Sequence, residues 1–302
     1  MPEIAEVTLT AQALKDMLLN KQLTTIKIIS GRYSNKPFEG YHKMILQLPL
    51  KVTNIDTKGK FLWFDFKNND KTSYLMNTFG LSGRWSFSKV DNAQIEFNFQ
   101  DGIIAYYIDS RNFGTFEYDD SGKSLNSKLN KLAPDLLKTN FTKEEFKGWI
   151  QDFLNKSSQR KDMIIVKVLM DQTKLTGLGS GLGNYLVPEI LYRAQLSPHR
   201  TMGSLTSENI YTLADTIKLV LKQCYVYNVT GYMENMTEFV DKHYQGMISG
   251  KYPDYHPEIK ISKGSKFVFQ VYRQKNDPLG NKVVGEKIMN DRTTYWVPSV
   301  QK

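Results

Sequence analysis

Met1 is followed by Pro2 and Glu3, so removal of the initiator leaves a secondary amine beside a carboxylic acid. An amine attacks an electrophilic carbon only when unprotonated. An α-amino group titrates near ~8, against ~10.4 for a lysine side chain, so it needs far less tuning to form a Schiff base. The neighbouring carboxyl group can deliver the proton that such an attack requires. Taken alone, the pair also describes an untethered chain start with a helix beginning at Glu3. The elements that would hold the two residues therefore have to decide between the readings.

The chain has 302 residues, of which 40% are hydrophobic and 12% aromatic, enough for a substantial core and for two domains. Its one cysteine, Cys224, excludes an internal disulfide and a cysteine-based metal cluster. His42, His199, His243 and His256 lack metal-ligand spacing with one another, so no metal and no cofactor is expected. Cys224 lies on an apolar stripe and is expected to be buried. Tyr225, Tyr227 and Tyr232 are expected in packing rather than on bases. There is neither a run of about 18 apolar residues nor a basic leader before an apolar stretch, so the expectation is an intracellular protein with no membrane segment. The net charge of +9 favours a polyanionic partner. From Lys263 onward eight Lys or Arg face only Asp277, Glu286 and Asp291, which puts +5 of that charge in the last forty residues. Phe267, Phe269, Tyr272, Tyr295 and Trp296 are interleaved with these charges, the pattern of a folded basic element that contacts phosphates.

Periodicity supplies the scaffold. Glu3 to Asn20 reads as an amphipathic helix with Val7, Leu9, Leu14 and Leu18 towards one side. Residues 24–29, 60–66, 73–76, 94–99 and 102–108 read as strands separated by Gly, Asn and Asp clusters, a mostly antiparallel sheet structure. The polar stretch 119–131 is read as the start of an interdomain linker. Beyond it the period becomes helical at 143–154, 160–171, 184–194 and 207–224, with Ile210, Leu213, Ile217, Val220 and Leu221 as a core stripe. Strand-like alternation returns at Lys266–Tyr272 and Thr293–Val297, with a turn at Asp277–Asn281.

The run Thr176-Gly177-Leu178-Gly179-Ser180-Gly181-Leu182-Gly183 ahead of Asn184 has the composition of a backbone amide nest. A helix N-terminus behind it would add positive potential for a phosphate. No Gly-Lys-Ser/Thr triplet follows, and the run comes after a helix rather than a strand, which argues against a P-loop and a dinucleotide turn.

Seven motifs now stand in order. They are Pro2-Glu3, Lys58-Gly59-Lys60, Gly80-Leu81-Ser82-Gly83, Asp109-Ser110-Arg111-Asn112-Phe113-Gly114, Leu132-Ala133-Pro134-Asp135, Gly183-Asn184-Tyr185 and Arg292-Thr293-Thr294-Tyr295-Trp296. In this order they resemble the Fpg/Nei family of DNA glycosylase/AP lyases over essentially the whole chain. The resemblance implies an α+β fold: an N-terminal helix and a two-layered antiparallel β-sandwich (1–118), a linker (119–134), a helix-two-turn-helix domain (135–262) and a β-hairpin finger (263–302). Departures are visible too. Ile4-Ala5 replace the family's usual Leu or Gly followed by Pro, and the glycine turn before Asn184 is longer than the pattern. The finger lacks both zinc-binding Cys pairs, with Leu279 near the first Cys position and Val297 and Val300 near the second pair. That resembles the zincless finger of the endonuclease VIII-like branch, some members of which are eukaryotic or viral. Trp296, Tyr295, Val283 and Ile288 would then hold it by packing.

Carried over by this resemblance, Pro2 attacks C1′ and Glu3 protonates the ribose ring oxygen. Glu6 orients this end or, as a helix-start carboxylate, complements the dipole. Lys60, with Lys58 as the fallback, grips the phosphate beside the lesion. Leu81, Arg111 and Phe113 fill the void left by the flipped nucleotide, while Asn184 and Arg292 clamp phosphates. Read without the family, Leu81 could be core, Phe113 a sheet residue and Lys60 a solvated charge. The implied partner is damaged double-stranded DNA, with single-stranded DNA as a further candidate, and the implied state a monomer. The implied activity is base-excision repair of oxidised bases, pyrimidines and hydantoins, by glycosylase and β,δ-elimination steps. Two alternatives stay open: a catalytically silent damaged-DNA-binding protein on the same scaffold, and a formamidopyrimidine/8-oxoguanine-preferring glycosylase. The base-contacting loop is expected within 225–262.

Overall fold

The computed structural model describes residues 2–227, 267–289 and 292–302, with side chains of Val226 and Tyr227 excepted. The stretch 228–262 expected to contact the base, Tyr232, His243, His256, Lys263, Lys266 and Asp291 lie outside the described residues. The described residues fall into two compact units that part between Asn130 and Lys131.

The first unit opens with α1 (Ile4–Leu18). The stripe of Val7, Leu9, Leu14 and Leu18 is buried as its spacing predicts, but residues 2–11 are buried on every side. The polar members tolerate this because they have partners: the Thr10 hydroxyl donates to the Glu6 carbonyl at 2.7 Å, and the Thr8 and Thr57 hydroxyls lie 3.5 Å apart. Eight antiparallel strands follow: β1 (Gln22–Ile28), β2 (Leu50–Lys58), β3 (Phe61–Asn68), β4 (Lys71–Thr78), β5 (Arg84–Ser86), β6 (Ala93–Phe99), β7 (Ile104–Ile108) and β8 (Thr115–Asp119), with the short α2 (Tyr41–Leu46) between the first two. They form one ladder in the order β5-β7-β6-β1-β2-β3-β4-β8. The ladder folds over on itself into a sandwich. Trp85, on the strand at one end, lies 5.8 Å from Phe116, on the strand at the other, and packs also on Phe64, Phe97 and Tyr107.

Strands β2, β5 and β8 are additions to the sequence reading. In β2 the inward positions Leu50, Val52 and Ile55 are separated by Lys, Thr and Asn, which hid the alternation. The polar stretch 119–134 contains α3 (Lys123–Lys131) rather than an extended linker. Asp119 starts that helix by accepting from the amides of Ser121, Gly122 and Leu125, each at 3.0 Å. Leu125 is its sole buried side chain, so no apolar stripe announces it.

The second unit contains α4 (Lys143–Asn155), α5 (Ile165–Met170), α6 (Leu186–Arg193) and α7 (Ser207–Tyr227). The helix expected over 160–171 splits into a 3-10 turn at Ser158–Asp162 and the two-turn α5. Every member of the stripe Ile210, Leu213, Ile217, Val220 and Leu221 is buried, as are Cys224 and Tyr225. The chain ends in the hairpin β9 (Val284–Met289) and β10 (Arg292–Trp296), whose root packs on α6 through Tyr192, Val271, Val283 and Val297. Tyr295 is half-buried against that cluster, and Trp296 donates from Nε1 to Glu286 at 3.2 Å; Ile288 lies on β9 outside the cluster. Among the described residues no helix is long and apolar enough to cross a membrane, and no group of His, Cys, Asp and Glu could hold a metal.

Candidate active site

Helix physics accounts for the start of the chain. Glu3 is the N-cap of α1, where unsatisfied amides and the helix dipole favour a carboxylate. It forms a reciprocal capping box with Glu6, whose carboxylate accepts from the Glu3 N–H at 3.0 Å. Pro2 is buried, Glu3 is fully buried and Glu6 is nearly so. A buried acid therefore sits immediately after the Pro2 nitrogen, its backbone fixed by Glu6.

Lys60 is half-buried in the two-residue turn Gly59-Lys60 between β2 and β3, one residue before the strand on which the sequence places it. Gly59 adopts φ +59°, a conformation glycine reaches without strain. Lys58 donates from Nζ to the Leu129 carbonyl in the last turn of α3, at 2.9 Å, and Lys128 from the same turn lies 4.9 Å over the Phe61 ring. The structure thus gives Lys58 a helix C-terminus as partner, a favourable place for a cation.

Two loops carry the candidate wedge residues and are locked together. Gly80 has φ +57°, and a Cβ there would lie 2.6 Å from the backbone and Cβ of Phe113. Gly83 and Gly114 both close over the Tyr107 hydroxyl with no room for a side chain. Asp109, almost fully buried, accepts from the Ser82 hydroxyl at 2.5 Å and from the Gly114 amide at 2.6 Å, so one carboxylate bridges both loops. Burial first, and then the Asp109 charge, hold the Tyr107 hydroxyl neutral by raising its pKa. Outside this bridge Arg32 donates from Nη1 to the Asn112 and Gly114 carbonyls, and Gln94 donates to the Asp109 carbonyl and Asn112 Oδ1. The result is presentation: Phe113 is 54% exposed, Arg111 is exposed with its guanidinium 5.5 Å from the Phe113 ring, and Leu81 is half-buried. Arg32 and Gln94 had no sequence signal, because nothing local distinguishes a loop brace from a surface residue. A Gly80→Ala protein should lose roughly 1–3 kcal/mol of stability, read from its denaturant midpoint, and an unchanged midpoint would refute the locked-loop account.

In the second unit, the glycine run is not a free nest. The Gly177 amide donates to the Thr173 carbonyl at 2.8 Å, the Ser180 amide to the Pro134 carbonyl at 2.7 Å and the Gly181 amide to Gln172 Oε1 at 2.5 Å. The lengthened turn spends these donors on its own packing, and Gly179 sits directly on Leu136. Asn184 follows, half-buried, two residues ahead of α6. Its Oδ1 is buried with no hydrogen-bond partner. Arg292 is exposed at the start of β10, paired in register with Met289 across the hairpin end. His199 lies in the turn after α6 and contacts Glu286 at 2.9 Å.

Two structural anchors escaped the sequence reading. Glu189, fully buried on α6, accepts from the amides of Gln270, Val271 and Tyr272 at 2.8–3.0 Å and pairs with Arg193. Asp277 accepts from the Leu279 and Asn281 amides and from the Tyr192 hydroxyl.

Three domain families match the chain in succession: formamidopyrimidine-DNA glycosylase N-terminal domain over residues 1–116, its H2TH domain over 132–232 and its C-terminal domain over 257–302. The chain belongs to the formamidopyrimidine-DNA glycosylase family. Formamidopyrimidine-DNA glycosylase of Mycoplasma genitalium is 28% identical over all of this chain and 96% of its own. That of Ligilactobacillus salivarius is 26% identical, covering all of this chain and 99% of its own. Among solved structures, the MutM (Fpg) protein of Thermus thermophilus superposes with a TM-score of 0.72 at 21% identity, over 99% of this chain and 98% of that one. Lactococcus lactis Fpg in complex with DNA containing an oxidised pyrimidine gives 0.73 at 20% identity, over the whole of both chains. The α+β glycosylase fold expected from the motif order is therefore the observed one.

Proposed function

We propose that this member of the family is a bifunctional DNA glycosylase/AP lyase that excises oxidised bases. The observation that carries the reading is the buried acid Glu3 at the N-cap of α1, directly after Pro2 and locked by Glu6. The damaged nucleotide must leave the stack before C1′ can be reached. The Pro2 nitrogen, freed of Met1, then bonds to C1′ as the glycosidic bond breaks, and the base departs with the proton that the nitrogen loses. Glu3 gives its proton to the ring oxygen, the sugar opens, and nitrogen and C1′ form a cationic imine. That cation acidifies the C2′ hydrogen. Its removal expels the 3′ phosphate by β-elimination, and a second elimination expels the 5′ phosphate.

Lys60 grips the phosphate beside the lesion, Asn184 and the Arg292 fork hold the flanking phosphates, and Lys58 supports the turn through Leu129. Phe113 and Leu81 enter the gap as apolar wedges, and Arg111 meets the orphaned base. The partner is damaged double-stranded DNA. The cysteine-free finger supports placement in the endonuclease VIII-like branch and a preference for oxidised pyrimidines and hydantoins. The relatives' name favours formamidopyrimidines as a second substrate class.

Borohydride added to the protein with abasic DNA should yield a covalent complex, with mass spectrometry placing it on Pro2. DNA binding without trapping, in protein shown to lack Met1, would favour the silent binding module. Phe113→Ala should slow excision from duplex by roughly 10-fold, since losing one aromatic contact with a base costs about 1–3 kcal/mol, while cleavage of single-stranded abasic DNA changes little. Equal losses on both substrates would sink the wedge role. Activity should persist after exhaustive chelation, and loss restored by zinc would contradict the metal-free finger.

A further inference from the structure

The root of the finger is organised around an anion at the place where the family pattern has a metal knuckle. Asp277 is 5% exposed, and Leu279, near the expected first Cys position, is 79% exposed. The turn closes inward instead. Asp277 Oδ1 accepts from the Leu279 amide at 2.9 Å and the Asn281 amide at 2.7 Å, while Oδ2 accepts from Asn281 Nδ2 and the Tyr192 hydroxyl, both at 2.9 Å. Burial pushes the carboxyl up, but the bonds from Asn281 and Tyr192 outweigh it and hold the group below the usual range. The Val283 amide then bonds to the Lys275 carbonyl at 3.0 Å and the chain runs straight into β9.

Tyr192 lies on α6, the helix that begins just after Asn184. One turn earlier Glu189 holds residues 270–272, and Tyr272 rests against both Tyr185, at 6.2 Å, and Tyr295 of β10, at 5.4 Å. The helix behind Asn184 and the strand that carries Arg292 are therefore joined by a polar clasp and by tilted and edge-on ring contacts. We propose that Asp277, clasped by the Tyr192 hydroxyl, is the positioning group that sets the hairpin, and with it Arg292, against the phosphates held by Asn184. This rests on the reading of Arg292 as a phosphate clamp.

Tyr192→Phe keeps the ring in the root core and removes only the clasp; Asp277→Asn keeps the volume and removes the charge. In the full chain, acting on an abasic duplex, each should raise KM about tenfold, the scale of losing a hydrogen bond to a charged group. kcat should change far less. Arg292→Ala should flatten the dependence of log affinity on log salt by about one phosphate, and Tyr192→Phe should flatten it equally. Adding Tyr192→Phe to Arg292→Ala should then cost nothing further. Wild-type KM and salt slope in both clasp variants, beside an impaired Arg292→Ala, would overturn the clasp and leave the clamp standing. So would full additivity in the double variant. Wild-type behaviour of Arg292→Ala would overturn both.

Discussion

Glu3→Gln should abolish base excision, lowering it by about 10²–10⁴-fold, the usual worth of a positioned general acid, while the protein stays folded and binds damaged DNA. The substitution is isosteric. An amide oxygen can still face the Glu6 amide, and Glu6 still accepts from the residue-3 N–H at 3.0 Å, so the cap survives. What disappears, in the mechanism proposed above, is the proton donor at a buried site one residue from the Pro2 nitrogen. Because an abasic site already has its base removed and its sugar can open unaided, borohydride trapping on abasic DNA should fall much less than excision of dihydrouracil. Parallel, equal loss of both, with unchanged binding, would move Glu3 from proton donor to structural cap. Unchanged excision would remove it from the chemistry.

Glu189→Ala should have the largest effect on stability. Its carboxylate is the acceptor for three successive backbone amides, at 2.8–3.0 Å, and for the Arg193 guanidinium, whose side chain is 13% exposed. Removing one partner of a buried charge pair costs about 3–5 kcal/mol, because the other charge stays in the low-dielectric interior without compensation. The amides of residues 270–272 would lose their acceptor at the same time. In a chain of this size that corresponds to a melting temperature lower by roughly 5–8 °C. Calorimetry of the full chain measures it, and limited proteolysis should open the 267–289 segment first. A variant that melts within about 1 °C of wild type would show that the finger root does not depend on this acid.

The parts of the molecule legible in the sequence share one property: their signal is local and periodic, or is a short ordered motif. The core stripe on α7, the strands β1, β3, β4, β6 and β7, and Pro2-Glu3 at the start of a helix could be read because an apolar stripe, a short apolar run or a pair of adjacent residues marks each within the sequence itself. Arg111 and Phe113 were legible only through their motif. The elements that escaped are polar on their visible positions. β2 alternates Leu and Val with Lys and Thr, and α3 buries only Leu125. The glycine run before Asn184 reads as an open amide nest, but its donors go to Thr173, Pro134 and Gln172, acceptors that no reading of the run itself could supply.

By itself, then, the sequence determined the family, the α+β class, the chemistry available at Pro2 and Glu3 and the absence of a cysteine cage in the finger. Each of these follows from which side chains exist and in what order. Only the tertiary structure decided what holds them in place. Asp109 bridges two loops across 27 residues of chain from Ser82, and Tyr192 reaches Asp277 across 85. Buried polar groups must find partners wherever folding brings donors and acceptors together, and that pairing leaves no trace in the spacing of the residues that make it.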